Sequence, residues 1–523
     1  MSTKVIVSNF GRLIKKTGRR FDEVDNALGK LIQQDEKRGI TTTIIRLDDP
    51  EQMKKLNAPV VKNHKSPKQN KDAIDGVYLS LQPDYIMILG AIDVVPYQDM
   101  KNPKFSQNDQ DRFAYGDLPY ASDTPYGKEP ASFRVPTRVV GRLPDLVAEG
   151  ASENESINVD YLIAVLGVAT DYVSRKGSDY EKYLGISAWQ WEDSTRLSVQ
   201  NVFGTISELQ LSPPKGPEWE TLFGRRSHFI NCHGAEADTR FYGQKGGSFP
   251  IALDAKYVNS STVAGTVISA ECCYGAELFD PKKAKGQTGI CSTYLERGAY
   301  AFFGSTTIAY GPASGNGGAD LICQYFLKHV LAGASVGRAA LEARHEFVQV
   351  ATTNSAGALN PVDLKTLAQF YLLGDPSLHP VEAPETHSIT GDATFMKTLP
   401  AAVTNFSAKR QLRRRQLIQK GFALGDAVAY ARPSKRVAPG VDVEKGLQQL
   451  AKKLKLRDIS VQSFEIKGAA LPKAAFRTPV AQPVFHVVEG RTGRQKARIP
   501  TSVALVVQEQ DGKIISVLDY ERR

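Results

Sequence analysis

Thr262 to Gly275, TVAGTVISAECCYG, is the stretch that decides the fold of this chain. Its first part, Val263 to Ala270, consists of apolar and small residues without alternation, which is typical of a central parallel strand covered on both faces. In open α/β sheets, ligands bind at the carboxyl ends of such strands. Because Cys272 and Cys273 follow the strand directly, the sequence predicts a thiol at the ligand-binding edge.

A second short apolar strand lies upstream, in Ser227 to Gly234, SHFINCHG, and it ends on His233. As parallel neighbours, the two strands would present an imidazole and a thiol at one edge of the sheet. This is the arrangement of a cysteine nucleophile with a histidine base, in which the thiolate attacks a carbonyl group.

The whole chain predicts an α/β protein with a mostly parallel sheet flanked by helices. Its 523 residues, 41% hydrophobic, suffice for a large core and for two or three domains. Strand and helix patterns alternate through residues 1–150 and again through 151–382, which predicts two α/β subdomains. Residues 383–523 differ in composition and predict a small basic α+β domain, ending in a hairpin that turns at Asp511 and Gly512.

Membrane, secretory and cofactor patterns are not found in the sequence. No apolar run approaches the roughly 20 residues needed to span a bilayer. The N-terminus lacks the apolar core of a secretory signal, and the five cysteines have neither a disulfide framework nor metal-ligand spacing. The Gly-rich loop at 311–320 lacks the Lys-Ser/Thr ending of a phosphate-binding loop. We therefore expect an intracellular, cytoplasmic protein without cofactor, metal or membrane span.

The formal net charge of +10 is concentrated near the C-terminus, in residues 408–420 and 452–457. Basic clusters of this kind form nucleic-acid sites, and they also form the solvated faces of helices. A regulatory partner or a nucleic acid bound through residues 383–523 therefore stays open at this point.

Six segments together resemble the gingipain-type cysteine peptidases, relatives of caspases, legumains, clostripain and separase. A lone His-Gly or Cys-x-x-Gly would be weak, but the order and spacing of the six make the resemblance specific. They are YIMILGAIDVVP (85–96), VVGRLP (139–144), NCHGA (231–235), ECCYG (271–275), GAYAFFGSTT (298–307) and YLLGDPSLHP (371–380).

The resemblance implies a caspase-like fold, with His233 as the catalytic histidine. The family writes its nucleophile as Cys-x-x-Gly, which selects Cys272, since Gly275 lies three positions later. Caspases write Cys-x-Gly, which would select Cys273 instead. The backbone N–H groups of Gly234 and of the nucleophile Cys272 would then form the oxyanion hole.

Specificity for arginine or lysine in this family comes from an acidic residue, which in the arginine-specific members follows the first strand of the catalytic unit. The matching stretch here, AWQWEDSTR, offers Glu192 or Asp193 as the charge of the primary pocket and Trp189 or Trp191 as its wall. An enzyme of that specificity would also cleave its own basic linker between residues 409 and 415.

We expect, in sum, a caspase-like cysteine endopeptidase that acts on proteins or peptides. Glu208 or Glu236 could orient His233, and His228 is interpreted as structural. Two alternatives stay open: a catalytically inactive relative that serves as a binding scaffold, and a regulator that binds nucleic acid through its basic C-terminal domain.

Overall fold

Two sheets organise the computed structural model of the chain. It describes residues 2–148, 159–214, 221–261, 263–355, 357–382, 416, 419, 428–468, 483–492 and 499–523. The strands are β1 Ser2–Ser8, β2 Ile40–Arg46, β3 Tyr85–Leu89, β4 Gln98–Lys101, β5 Phe113–Gly116, β6 Val140–Leu143, β7 Tyr183–Ser187, β8 Leu209–Leu211, β9 Ser227–Asn231, β10 Arg240–Tyr242, β11 Ile251–Asp254, β12 Val267–Ala270, β13 Ala301–Ser305, β14 Tyr310–Gly311, β15 Ala358–Leu359, β16 Phe370–Leu373, β17 Ala429–Pro433, β18 Arg457–Lys467, β19 Val484–Arg491, β20 Ser502–Gln510 and β21 Lys513–Arg522.

The helices pack against both faces of each sheet. They are α1 Phe10–Thr17, α2 Phe21–Lys37, α3 Pro50–Lys55, α4 Pro67–Leu81, α5 Val159–Thr170, α6 Ser178–Glu181, α7 Glu192–Phe203, α8 Ala255–Ser261, α9 Ile290–Glu296, α10 Ala319–Leu331, α11 Val336–Asn354, α12 Pro361–Gln369 and α13 Val441–Lys453. No helix within the described ranges has the length and apolar character needed to cross a bilayer.

The first sheet has ten strands in the order β2-β1-β3-β6-β16-β13-β12-β9-β7-β8. Every pairing is parallel except that of β13 with β16, which is antiparallel. Leu373 of β16 pairs with Arg142 of β6 and so joins the two halves of the sheet. The predicted α/β fold with a mostly parallel sheet is confirmed.

Strands β9 and β12 are parallel neighbours in the middle of the C-terminal half, as the sequence predicted. All four residues of β12 and all five of β9 are buried, because parallel neighbours and covering helices leave neither face to water. The carboxyl ends of β9 and β12 therefore bring His233 and the two cysteines to the same edge.

The second sheet has seven strands in the order β14-β21-β20-β19-β18-β17-β15. The predicted C-terminal hairpin is confirmed, since β20 pairs antiparallel with β21 and the chain turns at Asp511 and Gly512. The two outermost strands, β14 and β15, come from the α/β part of the chain. The C-terminal strands are thus held at both edges by residues before 383.

One hydrophobic core is shared between the α/β part and the C-terminal strands. It includes Phe303, Tyr310 and Leu364 as well as Phe464 and Val506. A second core packs on the opposite face of the ten-stranded sheet. The two cores lie on opposite faces of the ten-stranded sheet, so the face on which a cysteine lies determines which core surrounds it.

Candidate active site

His233 follows β9 directly and is buried. Its Nε2 lies 2.8 Å from Oε1 of Gln244, and its ring contacts the rings of Trp191 and Phe249 at centroid distances of 4.5 and 5.4 Å. Burial above all lowers the pKa of His233 to about 3, against the hydrogen bond to Gln244. The imidazole is therefore neutral at physiological pH, the form that can accept a proton.

The remaining ring nitrogen of His233, Nδ1, has no hydrogen-bond partner of normal geometry among the described residues. The main chain of Arg523 lies beside the ring. Nδ1 is thus directed toward the last residue of the chain.

Alternation along β9 separates the two cysteines. Ile230 and Cys232 belong to the core on one face of the sheet, where Cys272 also lies, with its Sγ 3.9 Å from the carbonyl oxygen of Ile230. Phe229 belongs to the core on the other face together with Cys273. His233 is an even number of residues from Phe229, so it shares the face of Cys273.

Cys273 is held by the main chain of Ala309. Its Sγ accepts a hydrogen bond from the Ala309 N–H at 3.3 Å and lies 3.6 Å from the Ala309 carbonyl oxygen. Burial raises the pKa of the Cys273 thiol, and the nearby positive charge of Arg522 is the largest opposing influence. Burial also raises the pKa of Cys272 well above its usual value, with Cys232 and Cys273 adding to the effect.

The position of Gly234 requires glycine, because a Cβ there would lie 1.8 Å from the carbonyl oxygen of Cys273. The close approach places the Gly234 main chain against the turn that carries the two cysteines. Within the described residues, the N–H groups of Gly234 and Cys273 donate to no other group. These two donors are available for a developing oxyanion.

A buried acidic pocket lies beside His233 and Cys273. Asp320, in the first turn of α10, accepts hydrogen bonds from Nη2 of Arg523 through both of its carboxylate oxygens, at 2.9 and 3.2 Å. Oε2 of Glu271 lies 3.8 Å from Nε of the same side chain. Glu271 is the first residue after β12 and lies two positions before Cys273.

Neutral groups complete this pocket around the Arg523 guanidinium. Nη2 donates to the carbonyl oxygen of Pro312 at 2.8 Å and to Oγ of Ser194 at 3.3 Å. The guanidinium carbon lies 4.3 Å from the ring centroid of Trp191. Trp191 thus contacts both His233 and the cation, as a pocket wall would.

Glu271 is fully buried, and neither of its carboxylate oxygens has a hydrogen-bond partner in the described part of the chain. Burial raises its pKa well above the ordinary value, and the nearby Asp320 adds to the rise while Arg523 opposes it. The Arg523 guanidinium lies beside both buried carboxyl groups and favours their charged forms.

Of the pocket residues suggested by the sequence, Trp191 lies in the pocket and the other three lie elsewhere. Trp189 is 39% exposed, with the Lys245 ammonium over its ring. Glu192 pairs with Arg196 on α7 at 2.7 Å, and Asp193 is exposed on the same helix. The contacts to the arginine come from Glu271 and Asp320 instead.

Neither glutamate considered for orienting His233 contacts it. Glu208 accepts from the Tyr183 N–H at 2.7 Å and pairs with Arg225. The orienting group is the neutral amide of Gln244. His228, interpreted as structural, is buried against the hydroxyl of Tyr294 at 2.8 Å.

A network of buried ion pairs contacts the turn that follows Cys273. Lys365 pairs with Asp109 at 2.5 Å and with Asp111 at 3.1 Å. Asp111 in turn accepts from the Tyr274 hydroxyl at 2.7 Å and from the Ile308 N–H at 2.7 Å. The basic linker at 409–415, predicted to be a self-cleavage site, lies outside the described residues.

Comparison with known proteins gives one family. Residues 232–381 match the model of peptidase family C25. A solved structure described as "Structure of Protease" aligns over 97% of this chain and 97% of its own, with 14% identity and a TM-score of 0.48. The comparison with curated proteins gives no match.

Proposed function

Because residues 232–381 match peptidase family C25, a family of cysteine peptidases, we propose that this chain is an endopeptidase with a His233–Cys273 dyad that cleaves after arginine. The observation that carries the proposal is the common face of the sheet. His233 lies beside the main chain of Arg523, and the acidic pocket holds the Arg523 side chain. Cys273 contacts Ala309, whose carbonyl oxygen accepts from the Arg523 N–H.

The nucleophile assignment reverses the preference of the sequence pattern. Cys-x-x-Gly favours Cys272, whereas the contacts favour Cys273. Cys272 packs with Ile230 and Cys232 on the face away from the pocket. Burial raises the pKa of both thiols and so does not select between them. Cys273 has the N–H of Ala309, at 3.3 Å, to stabilise a thiolate.

The reaction follows from the protonation states of the pair. The neutral imidazole of His233 accepts the Cys273 proton as the sulfur forms a bond to the scissile carbonyl carbon. The N–H groups of Gly234 and Cys273 donate to the resulting oxyanion. The imidazolium returns the proton to the amine that leaves, and water hydrolyses the thioester, which releases the acid and regenerates the thiol.

Arginine specificity follows from the contact between the guanidinium plane and Trp191. Asp320, Ser194 and the Pro312 carbonyl all meet one nitrogen, Nη2, which an ammonium could replace. Trp191 covers the face of the planar guanidinium, a contact that suits arginine better than a compact ammonium. Lysine could reach the carboxylates but would lose the contact of its plane with the indole ring. We therefore place lysine second.

The test is covalent labelling with a peptidyl fluoromethyl ketone that carries arginine next to the reactive carbon. Intact mass spectrometry should show one adduct on the wild type and on Cys272→Ala, and none on Cys273→Ala or His233→Ala. A matched probe with leucine in place of arginine is the specificity control. An adduct that survives Cys273→Ala and disappears in Cys272→Ala would refute the assignment, and no adduct in any variant would favour an inactive scaffold.

A further inference from the structure

The last residues of the chain lie in the cleft as an extended strand. Arg522 pairs with Tyr310 and Glu521 with Gly311, antiparallel, at the edge that β14 offers. The Arg523 N–H donates to the Ala309 carbonyl oxygen at 3.0 Å. Addition of an extended peptide to an exposed strand is a common way to bind peptide substrates.

We propose that the tail segment, Tyr520–Arg523, fills the substrate cleft in cis, with Arg523 in the place of the substrate's arginine. A substrate then enters only when the tail segment leaves β14. The inference rests on the proposed function and adds its regulation: the chain is its own competitive inhibitor.

Three side chains of the tail segment, those of Tyr520, Glu521 and Arg523, make specific contacts with the α/β part of the chain. The Tyr520 hydroxyl lies 3.2 Å from Nδ2 of Asn360. The Glu521 carboxylate accepts from Nε1 of Trp191 at 2.7 Å, the same indole that covers the guanidinium. The Arg523 side chain is fully buried in the acidic pocket. Recognition therefore extends over the main chain and at least three side chains.

Several polar atoms of Arg523 and Glu271 have no hydrogen-bond partner among the described residues, which is more typical of a bound ligand than of a structural ion pair. Nε and Nη1 of Arg523 have no hydrogen-bond partner in the described residues, and neither does either carboxylate oxygen of Glu271. A buried pair retained for stability needs its remaining donors and acceptors satisfied. A pocket that exchanges occupants tolerates an imperfect fit. The main chain of Arg523 also lies beside the ring of His233.

Release of the tail segment requires only a local change. β21 pairs with β20 from Lys513 to Glu521, whereas its pairing with β14 is limited to two residues. Lys513 to Asp519 can thus remain paired with β20 while the tail segment separates from β14 and from the last two pairs of the hairpin, those of Tyr520 and Glu521 with β20. The opened edge is then free to pair with another extended peptide.

The experiment compares full-length wild type, Arg523→Ala and, as a control, Arg432→Ala, an exposed arginine of the same sheet. The readouts are the rate of Cys273 labelling by the arginine probe and kcat/KM for an arginine peptide. We take a dissociation constant of about 10–100 µM for the tail as a free peptide and an effective concentration of about 1 mM for the tethered tail. Loss of tail binding should then raise the labelling rate and kcat/KM by about 10- to 100-fold. Only Arg523→Ala should show this gain.

The outcomes separate the two proposals. Equal labelling rates in all three proteins would overturn self-inhibition and leave the peptidase assignment standing. No labelling in any of them would overturn the peptidase assignment and the inference with it.

A second measurement needs no variant that has to fold. Hydrogen exchange of residues 513–523 is followed in the wild type before and after complete labelling by the arginine probe. Faster exchange confined to 520–523 is the expected result, since the probe and the tail segment compete for one cleft. Unchanged exchange on a fully labelled protein would refute the overlap. The peptide VLDYERR, residues 517–523, should also inhibit Arg523→Ala competitively, and VLDYERA should not.

Discussion

Replacement of Asp320 by asparagine tests the acidic pocket most directly. Asparagine keeps the volume and one acceptor oxygen, but it removes the negative charge that meets Nη2 of the bound arginine at 2.9 and 3.2 Å. A hydrogen bond to a charged group contributes about 1.5–3 kcal/mol, and 1.4 kcal/mol corresponds to a factor of ten. The preference for arginine should therefore fall about 10- to 150-fold in Asp320→Asn.

The assay is the ratio of kcat/KM for two peptides that differ only in arginine or norleucine before the scissile bond. The ratio is used because loss of Asp320 also weakens the hold on Arg523, and a change in self-inhibition raises both rates equally. Glu192→Gln and Asp193→Asn are the matched controls, since they remove the carboxylates that the sequence suggested. A ratio that falls in a control and not in Asp320→Asn would refute the pocket.

Three further outcomes are expected. Gly234→Ala should fold with a lowered melting temperature and lose labelling of Cys273, because the new methyl group meets the Cys273 carbonyl oxygen; normal labelling would contradict the close approach. The free energy of unfolding should fall as pH drops below 6.5, because burial lowers the pKa of His228 to about 3 and only the unfolded chain then takes up the proton. This histidine contributes about 1.4 kcal/mol per pH unit. His228→Gln should reduce the dependence in urea titrations by that amount and keep activity, while His233, with a similarly lowered pKa, retains its own share. Activated enzyme should cut itself between residues 409 and 415, whereas Cys273→Ala should stay intact on gels.

Local sequence was sufficient for the strands that position His233 and the cysteines. Apolar runs that end in His-Gly and Cys-Cys-x-Gly report burial and a strand end within one stretch of chain. The alternation of β12 continues past its end, so Cys272 shares the core of Ala270 and Cys273 lies on the other face. The sequence alone does not show which of these faces carries the pocket. The contacts of Cys273 become visible only once Ala309 and Arg522 lie beside it.

The pocket shows the same limit at longer range. Glu271 lies next to the cysteines in the sequence, where it is indistinguishable from an ordinary residue at the end of a strand. Only the packing shows that its carboxylate oxygens are buried without hydrogen-bond partners among the described residues. Asp320 reaches the pocket through the first turn of α10, after a Gly-rich loop that carries no recognisable motif. Both residues are far in sequence from the acidic loop that the family resemblance pointed to, although Ser194 of that loop donates a hydrogen bond to Asp320 at 3.0 Å.

The strands after residue 383 could regulate the enzyme in two ways, and these differ in whether residues 383–523 can separate from the rest of the chain. Either cleavage of the linker releases a whole domain, or only the tail segment moves. Lys104 of the α/β part pairs with Glu489 of β19 at 2.9 Å, and both side chains are almost fully buried. Removal of one partner from a buried pair costs about 3–5 kcal/mol, a large share of the 5–15 kcal/mol that stabilises a typical domain.

The shared sheet adds to this cost, since β14 and β15 would lose the strands that pair with them. We therefore expect a chain that ends at residue 427 to be insoluble or to unfold at low urea, while a chain that lacks only residues 520–523 should fold and label faster than the wild type. Circular dichroism, urea titration and probe labelling of the two truncations distinguish the models. A soluble, cooperatively folded and active 1–427 fragment would show that the C-terminal strands are a detachable inhibitor, and local movement of the tail segment would then be the wrong description.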